Sequence, residues 1–407
     1  MELKPAGWQV KRLDELADIR SGGTPSTNVP KFWDGDVPWC TPTDITRLNG
    51  RKYLAGTSRK ITQEGLANSS AETIPANSVV MTSRATIGEC AISTVPVTTN
   101  QGFKNFVPFD STDVEFLYYL LQTQKHGFIR LCAGSTFLEI GKAQLSAYEV
   151  CVPAQKEEQS AIATALSEVD ALLAGLDKLI AKQRDIKQEA MRQLLTGKTR
   201  LPGFVGDWEV RRLGDVGNTY GGLVGKSKAD FGHGSAQYVT FLNVMANVVI
   251  DIETFDNVDV CANEIQNRVL NGDLLFNGSS ETPEEVAMCA LVDADIENLY
   301  LNSFCFGFRF KPDAQVHGLF MAYCMRGPAG RELIKSLAQG STRYNLSKSA
   351  LLNGQLKLPS LEEQTAIAEV LSDMDSELEK LQARREKTRL LKQGMMQELL
   401  TGRTRLV

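Results

Sequence analysis

The octapeptide "LLTGKTRL" at Leu194–Leu201 returns as "LLTGRTRL" at Leu399–Leu406, and the copies differ only at Lys198 and Arg403. At the same offset of 205 residues the match extends backwards without a gap: "EQSAIATALSEVDALLAGLDKLIAKQRDIKQEAMRQ" from Glu158 lies on "EQTAIAEVLSDMDSELEKLQARREKTRLLKQGMMQE" from Glu363. A second match sets "GWQVKRLDELADIRSGG" against "DWEVRRLGDVGNTYGG", pairing Trp8 with Trp208 and Leu13 with Leu213. Between these anchors kinship is looser, with "IPANSVVMTSR" facing "VLNGDLLFNGS" and "AGSTFLEIGKAQL" facing "QGSTRYNLSKSAL". The second phrase stops at Val407 where the first continues into "PGFVGDW", and "LKPAGW" at the start reads as that continuation. The expected plan is a nearly circular repeat of globular unit, helix, globular unit, helix, a pseudo-dimer within one polypeptide with an approximate twofold relation. The period is far too long for a solenoid.

The helical segments carry a narrow apolar seam. In the first copy it runs through Ile162, Leu166, Val169, Leu173, Leu176 and Ile180, in alternating steps of four and three. The second has Ile367, Leu371, Met374, Leu378 and Leu381, after which Arg385 is expected to interrupt the register. A shifted stripe of Ile186, Ala190 and Leu194, matched by Leu391, Met395 and Leu399, predicts a stutter in each helix. A mixed-charge helix with so thin a seam needs a partner, and the other copy in antiparallel orientation is the nearest. Leu172, Leu179, Met191 and Leu195 fall off the seam, suited either to a partner's helices or to the flanking domains.

The intervening segments read differently. Short runs such as "SVVMTS", "CAIST", "DLLFNG" and "FCFGFRF", divided by Gly, Pro, Asn and Ser, predict strands, with one helix each near "VEFLYYLLQT" and "GLFMAYCMR". The expected fold class is α+β. Two β-rich domains, each dominated by one twisted sheet, span 1–152 and 202–357; helical regions at 153–201 and 358–407 form an antiparallel coiled coil.

Composition narrows the function. With 407 residues, 43% hydrophobic and 23% charged, the chain is expected to be globular and of more than one domain. The N-terminus lacks a secretory layout and no run suits a membrane helix, so the cytoplasm is the expected compartment. Eight cysteines without a CxxC pair read as reduced, mostly buried thiols. His126, His233 and His317 read as surface or loop residues, and no metal site is expected. "LLTGKT" resembles the end of a phosphate loop, but Arg192 stands where a glycine belongs and Arg403 replaces the lysine, which favours helix C-caps with Gly197 and Gly402 left-handed. The pairs Glu157/Glu158, Glu362/Glu363 and Glu284/Glu285 read as solvated faces or favourable charge near a helix N-terminus rather than acid-base machinery. No catalytic residues are identified, so binding is expected rather than catalysis.

The phrases "IRSGGTPSTNVPKFWDGDVPWCTPTDI", "MTSRATIG", "TTNQGF", "AGSTF" and "VPAQKEEQSAIATAL", in this order and recurring in degenerate form, resemble the specificity subunit of type I restriction-modification enzymes. The resemblance covers essentially the whole chain. It implies a noncatalytic subunit whose domains each recognise half of a split, asymmetric site in double-stranded DNA. It further implies helices that fix the spacer and dock two modification subunits, the methyltransferases. S-adenosylmethionine, ATP and Mg are then expected on partner subunits and no cofactor on this chain, with restriction subunits joining the full complex. Without the resemblance, a coiled-coil scaffold with β-rich ends that bind protein or carbohydrate stays open, as does a hydrolase with an unrecognised site.

Candidate DNA-binding residues are loop polar groups able to reach phosphates or base edges. In the first domain these are Thr24, Ser26, Thr27 and Asn28 in the glycine-led loop, then Thr43, Ser83, Arg84 and Thr86, and finally Gln101, Ser135 and Thr136. Thr24 and Ser26 also suit a turn centred on Pro25 that bonds its own backbone. The second domain offers Lys226, Ser227, Lys228 and Asn243, then Ser279, Ser280 and Ser303, and finally Ser341, Thr342 and Arg343. Its "GGLVGKS" departs from "GGTPST", and Arg84 has no arginine counterpart. From Leu201 to Gln355 there are 12 Lys and Arg against 18 Asp and Glu, whereas Met1 to Val150 carries 15 of each, so weak DNA binding by this chain alone is expected.

Overall fold

The computed structural model describes residues 5–132, 138–261 and 263–406. The chain divides into two units, of which the first is discontinuous. Unit 1 runs up to Asp177 and adds the residues from Ala383 onward; unit 2 is Lys178–Gln382. The two long helices, Lys156–Leu194 and Leu361–Leu399, therefore each contribute one half to each unit.

In unit 1 a five-stranded sheet has the order Ala17–Ser21, Phe103–Pro108, Ser78–Thr82, Cys90–Ser93, Tyr53–Leu54, antiparallel except for the last pair. Trp33–Cys40 forms a second sheet with Arg59–Ile61 and Thr98–Thr99. Ser78–Thr82 is buried at every position because both faces are covered, Val79 and Met81 by one apolar cluster and Val80 by another. Unit 2 repeats the plan with the order Gly217–Gly221, Cys305–Phe310, Leu274–Asn277, Cys289–Leu291, and a separate sheet around Phe231–Val239. The single irregular sheet expected per domain is thus divided, since bulged strands such as Trp33–Cys40 and Phe231–Val239 turn away from the first layer. Helices Val114–Thr123 and Gly318–Arg326 form where the sequence predicts them. His317 caps the second of these, its Nδ1 accepting from the Phe320 amide at 3.3 Å. Five of the eight cysteines are buried.

Within each unit the halves of the two long helices run antiparallel. In unit 1 Asp170 meets Lys392 at 2.7 Å, Asp177 meets Arg385, and Glu158 meets Arg405 at 2.6 Å. In unit 2 Gln183 meets Glu377 at 3.1 Å, Lys187 meets Asp375, and Arg200 meets Glu363. Ile162, Leu166, Leu176 and Ile180 are buried, as are Ile367, Leu371 and Leu378, while Val169, Leu173, Met374 and Leu381 are partly so.

The expected stutter is absent. Ile186 and Leu391 are 41% and 58% exposed, and the heptad continues instead through Gln183, Lys187, Ala190 and Leu194, and through Arg385, Thr388, Lys392, Met395 and Leu399. Gln183, Lys187, Arg385 and Lys392 hold seam positions because each finds a partner on the facing helix, while the Thr388 hydroxyl donates to the Arg384 carbonyl of its own helix; apolarity alone cannot reveal either. Arg385 keeps the register rather than breaking it.

The repeated octapeptide closes each unit. Leu194 and Leu195, like Leu399 and Leu400, enter the apolar cores. Gly197 and Gly402 then adopt φ of +68° and +70°, as expected of C-caps, and lie against Trp208 and Trp8. Arg200 and Arg405 fork onto Glu363 and Glu158, which are only 1% and 2% exposed. Both glutamates lie in the first turn of a long helix, the expected place for favourable charge, but they are buried anchors rather than a solvated face, because each guanidinium supplies the charge that burial otherwise penalises.

A second clasp recurs in both units. The Tyr119 hydroxyl donates to Asp170 at 2.5 Å with Lys392 5.3 Å from its ring, and the Tyr323 hydroxyl donates to Asp375 at 2.6 Å with Lys187 5.5 Å from its ring. In unit 1 Lys52 extends the network to Glu115 and Ser167, each at 2.8 Å. Burial works against the Glu115 carboxylate, but hydrogen bonds from Lys52, Ser167 and Tyr53 outweigh it and hold its pKa below the usual value. Glu115 accordingly stabilises unit 1 above about pH 4.5 and loses that contribution as the pH falls through its depressed pKa. Asp375→Ala is expected to destabilise unit 2 by about 1–3 kcal/mol by orphaning the Tyr323 hydroxyl. Chemical denaturation of Asp375→Ala combined with Tyr323→Phe should show a loss smaller than the sum of the two single losses.

Candidate nucleic-acid interface

In unit 1 the chain leaves Ala17–Ser21 through Gly22 and Gly23. A Cβ on Gly22 would lie 1.9 Å from the Asn100 carbonyl oxygen, and one on Gly23 would lie 2.3 Å from the Ser70–Ala71 backbone, so only glycine fits. The loop that follows rests on two indoles. Trp39 Nε1 donates to the Gly23 carbonyl at 3.0 Å and Trp33 Nε1 to the Ser26 carbonyl at 3.1 Å; the rings meet edge to face at 5.0 Å, and the Arg59 guanidinium lies 4.2 and 5.1 Å from their centres. The loop's backbone bond, from the Val29 amide to the Ser26 carbonyl at 3.3 Å, closes a turn over Thr27 and Asn28 rather than one centred on Pro25. Ser26, Thr27 and Asn28 are exposed on this floor. Trp33, Trp39 and Arg59 were missed as site residues, although both tryptophans stand in the "FWDGDVPWC" phrase.

A turn before Phe103–Pro108 brings the other candidates together. Asn100 Oδ1 accepts from the Gly102 amide at 2.9 Å and so presents Gln101 to solvent, where the Thr24 hydroxyl donates to it. The Ser83 amide donates to the Gly102 carbonyl at 2.7 Å, placing the segment that follows Ser78–Thr82 beside the turn. Arg84 is exposed and pairs with Glu139 at 2.9 Å, while Ala85 has a φ of +56°, an uncommon conformation for a residue with a side chain. Thr86 is exposed and its carbonyl accepts from the Thr82 hydroxyl; Thr43 is exposed on the short helix Pro42–Thr46. Ser83 is fully buried. Ser135 and Thr136 lie outside the described residues.

Unit 2 repeats the framework with other side chains. Asn302 Oδ1 accepts from the Phe304 amide at 2.9 Å, presenting Ser303 to solvent beside Phe304, which is 63% exposed. Ser279–Ser280 pairs with Tyr344–Asn345, and Ser279, Ser280, Thr342 and Arg343 line one cleft of about 780 Å³ with Phe241 and Met245. Glu281 and Glu285 share its wall, and Ser341 is exposed beside it. Two arginines brace the cleft from beneath. Arg326 donates to the carbonyls of Cys289, Val244, Met245 and Asn247, and Arg331 to those of Pro283, Val286 and Ala287. No charge pattern in the sequence distinguishes these buried arginines from surface ones.

Three candidates of unit 2 are taken up by folding. Asn243 is 4% exposed and uses both ends of its carboxamide, donating to the Asp251 carbonyl and Thr254 hydroxyl and accepting from Asp251 and Asn247. Lys226 pairs with Glu264 at 2.6 Å; that hydrogen bond raises the lysine and, as the largest influence, holds the carboxyl down to about 2. The Ser227 hydroxyl donates to Asp230, while Lys228 stays exposed. Among the described residues no group of three His, Cys, Asp or Glu could hold a metal ion.

The sequence pattern described as "Type I restriction modification DNA specificity domain" matches residues 5–183 and 206–387, nearly nine-tenths of the chain. The chain belongs to that family. It is 30% identical over 301 residues to the type I restriction enzyme MjaIX specificity subunit of Methanocaldococcus jannaschii, covering 69% of this chain and 68% of that protein. It is 28% identical over 196 residues to the EcoR124I/EcoR124II specificity subunit of Escherichia coli, covering 46% and 47%. The fold is that of solved S subunits: one from M. genitalium has a TM-score of 0.56 at 16% identity over 98% of each chain, and HsdS from Thermoanaerobacter tengcongensis 0.54 at 17% over 98% of each. A structure described as concerning complex assembly and conformational transition of the type I R-M system reaches 0.62 at 16%, over 98% of this chain and 99% of that one. The chain is thus a noncatalytic specificity subunit of the type I restriction-modification family. Trp39→Phe keeps the buried ring but removes the donor to the Gly23 carbonyl, and is expected to destabilise the 22–28 loop by about 1 kcal/mol. Hydrogen exchange should show faster exchange there, with the amides of unit 2 unchanged.

Proposed function

We propose that the chain confers DNA sequence specificity on a type I restriction-modification complex, each β-rich domain reading half of a bipartite, asymmetric site. One observation carries this reading: both units build the same framework, an Asn-braced turn beside a strand end, and place different side chains on it, the exposed Gln101 and Arg84 in one, the exposed Ser303 and half-buried Ser279 in the other. Equal scaffolds with unequal loops suit two half-sites of unequal sequence. The recognition domains are 1–152 and 202–357, with helical regions 153–201 and 358–407. Thr24, Ser26, Thr27, Asn28, Thr43, Arg84, Thr86 and Gln101 are the contact set of the first domain. Lys228, Ser279, Ser280, Ser303, Ser341, Thr342 and Arg343 are that of the second.

The long helices are the spacer between half-sites and the seat of two modification subunits. Leu172, Leu179 and Ile186 recur at heptad spacing on the first long helix and are 44%, 41% and 41% exposed, which suits helices of a partner. Leu195 is instead 1% exposed in the core of unit 2, and Met191 packs against that core. S-adenosylmethionine, ATP and Mg belong to the partner subunits, with restriction subunits completing the assembly in the cytoplasm. No described helix is long and apolar enough to cross a membrane. The acidic balance of the second domain makes DNA binding by the isolated chain weak, with much of the phosphate contact coming from the partners.

Inserting four residues, about one helical turn of 5.4 Å, after Lys182 is expected to lengthen the spacer by about one or two base pairs and to leave both half-sites unchanged. Methylation sequencing of the assembled enzyme reads both quantities; altered half-sites with an unchanged gap would refute the spacer role.

A further inference from the structure

Unit 1 buries a cation, Lys104, that has no ion pair among the described residues. Strand register sets Met81 opposite Lys104, and Ser83 lies two residues beyond Met81, its amide bonded to the carbonyl of Gly102. Side chains alternate along a strand, so Ser83 and Lys104 face the same side of the sheet. Lys104 is 6% exposed, has no ion pair among the described residues, and makes one long hydrogen bond, 3.4 Å to the Phe103 carbonyl. Ser83 is fully buried and its hydroxyl has no partner among the described residues. Buried polar groups are ordinarily satisfied, and a buried ammonium and an orphan hydroxyl on one face of a sheet are an arrangement that folding by itself disfavours.

The surroundings point to an anion. Burial depresses the Lys104 amine below the ordinary lysine range, with Glu139 opposing and Arg84 adding to the effect, so both members of the Arg84–Glu139 pair lie within electrostatic reach of it. That pair is partly solvated, with side chains 44% and 41% exposed, and such pairs are weak and readily exchanged. Two cations facing one carboxylate leave a net positive charge, matched by the single negative charge of a phosphodiester.

We propose that Arg84, Lys104 and Ser83 form a concealed phosphate anchor: a backbone phosphate of the docking duplex displaces Glu139 from Arg84 and gains Lys104 and the Ser83 hydroxyl as further donors. This rests on the DNA reading above and assigns it a positioning device that exists in one unit only. In unit 2 Gly278 bonds the turn carbonyl as Ser83 does, Ser279 follows it, and Phe306 stands where Lys104 does, opposite Phe276 and stacked on it at 5.3 Å. Unit 2 therefore has no equivalent cation there, and unit 1 carries the more salt-sensitive share of binding.

The test uses the full chain and a fluorescent mixed-sequence duplex of about 30 base pairs, titrated across a range of salt. Lys104→Met should lower the slope of log K against log salt by about one and weaken binding roughly tenfold at about 50 mM salt. Its melting temperature should not fall, because Met fills the same space without a charge to desolvate. Glu139→Gln should tighten binding severalfold by freeing Arg84. Wild-type binding with slope and affinity unchanged in a folded Lys104→Met overturns the anchor while leaving the DNA reading intact. If Lys104→Met does not fold, the Glu139→Gln result decides alone: tighter binding supports the anchor, and unchanged or weaker binding overturns it. A wild-type chain that binds no duplex even at low salt overturns both.

Discussion

The structure depends on each unit being completed by the far end of the other repeat. A helix with an apolar seam one or two residues wide is marginal in water, and packing rather than intrinsic propensity holds such a helix. Here the packing is supplied twice, by Leu399 and Leu400 entering the core of unit 1 and Leu194 and Leu195 entering that of unit 2. The Arg405–Glu158 and Arg200–Glu363 forks fix these closures in register. A buried ion pair adds little net stability against an apolar replacement, but leaving either partner alone is expensive, so misaligned closures are strongly disfavoured. The forks thus specify the arrangement more than they strengthen it.

The same logic explains the polar stretch of the seam. Gln183, Lys187, Arg385, Thr388 and Lys392 occupy positions that an all-apolar coiled coil would fill with leucine. Asp170 and Asp375 each accept a tyrosine hydroxyl from a globular domain while pairing with a lysine of the facing helix. One carboxylate therefore ties three elements together, and its hydrogen bonds set helix register and domain seating at once. A slid register would bury these charges unpaired.

Stability and variability are kept on different parts of each domain. Asn100 and Asn302 make the same side-chain-to-backbone bond, and the strand ends beside them bond the turn in the same way. What differs is the side chains mounted there and what braces them: a tryptophan pair with Arg59 in unit 1, carbonyl-binding Arg326 and Arg331 in unit 2. Loop side chains can therefore differ between the two units without touching the closures.

By itself the sequence determined the repeat, the two helices with most of their seam, the positions of Val114–Thr123 and Gly318–Arg326, and the left-handed glycines at Gly197 and Gly402. All of these are written in local pattern: periodicity, capping chemistry and self-similarity. Only the tertiary structure decided which polar residues are free. Asn243 and Lys226 look like surface groups in a linear reading, yet their hydrogen-bond partners come from eight and 38 residues away. Glu158 and Glu363 look solvated until an arginine 247 or 163 residues distant is brought beside them. The seam's continuation through Lys187 and Arg385 was hidden for the same reason: a charged residue can occupy a core position only when its counter-charge is delivered by another part of the chain, and that delivery is a property of the fold rather than of any local stretch.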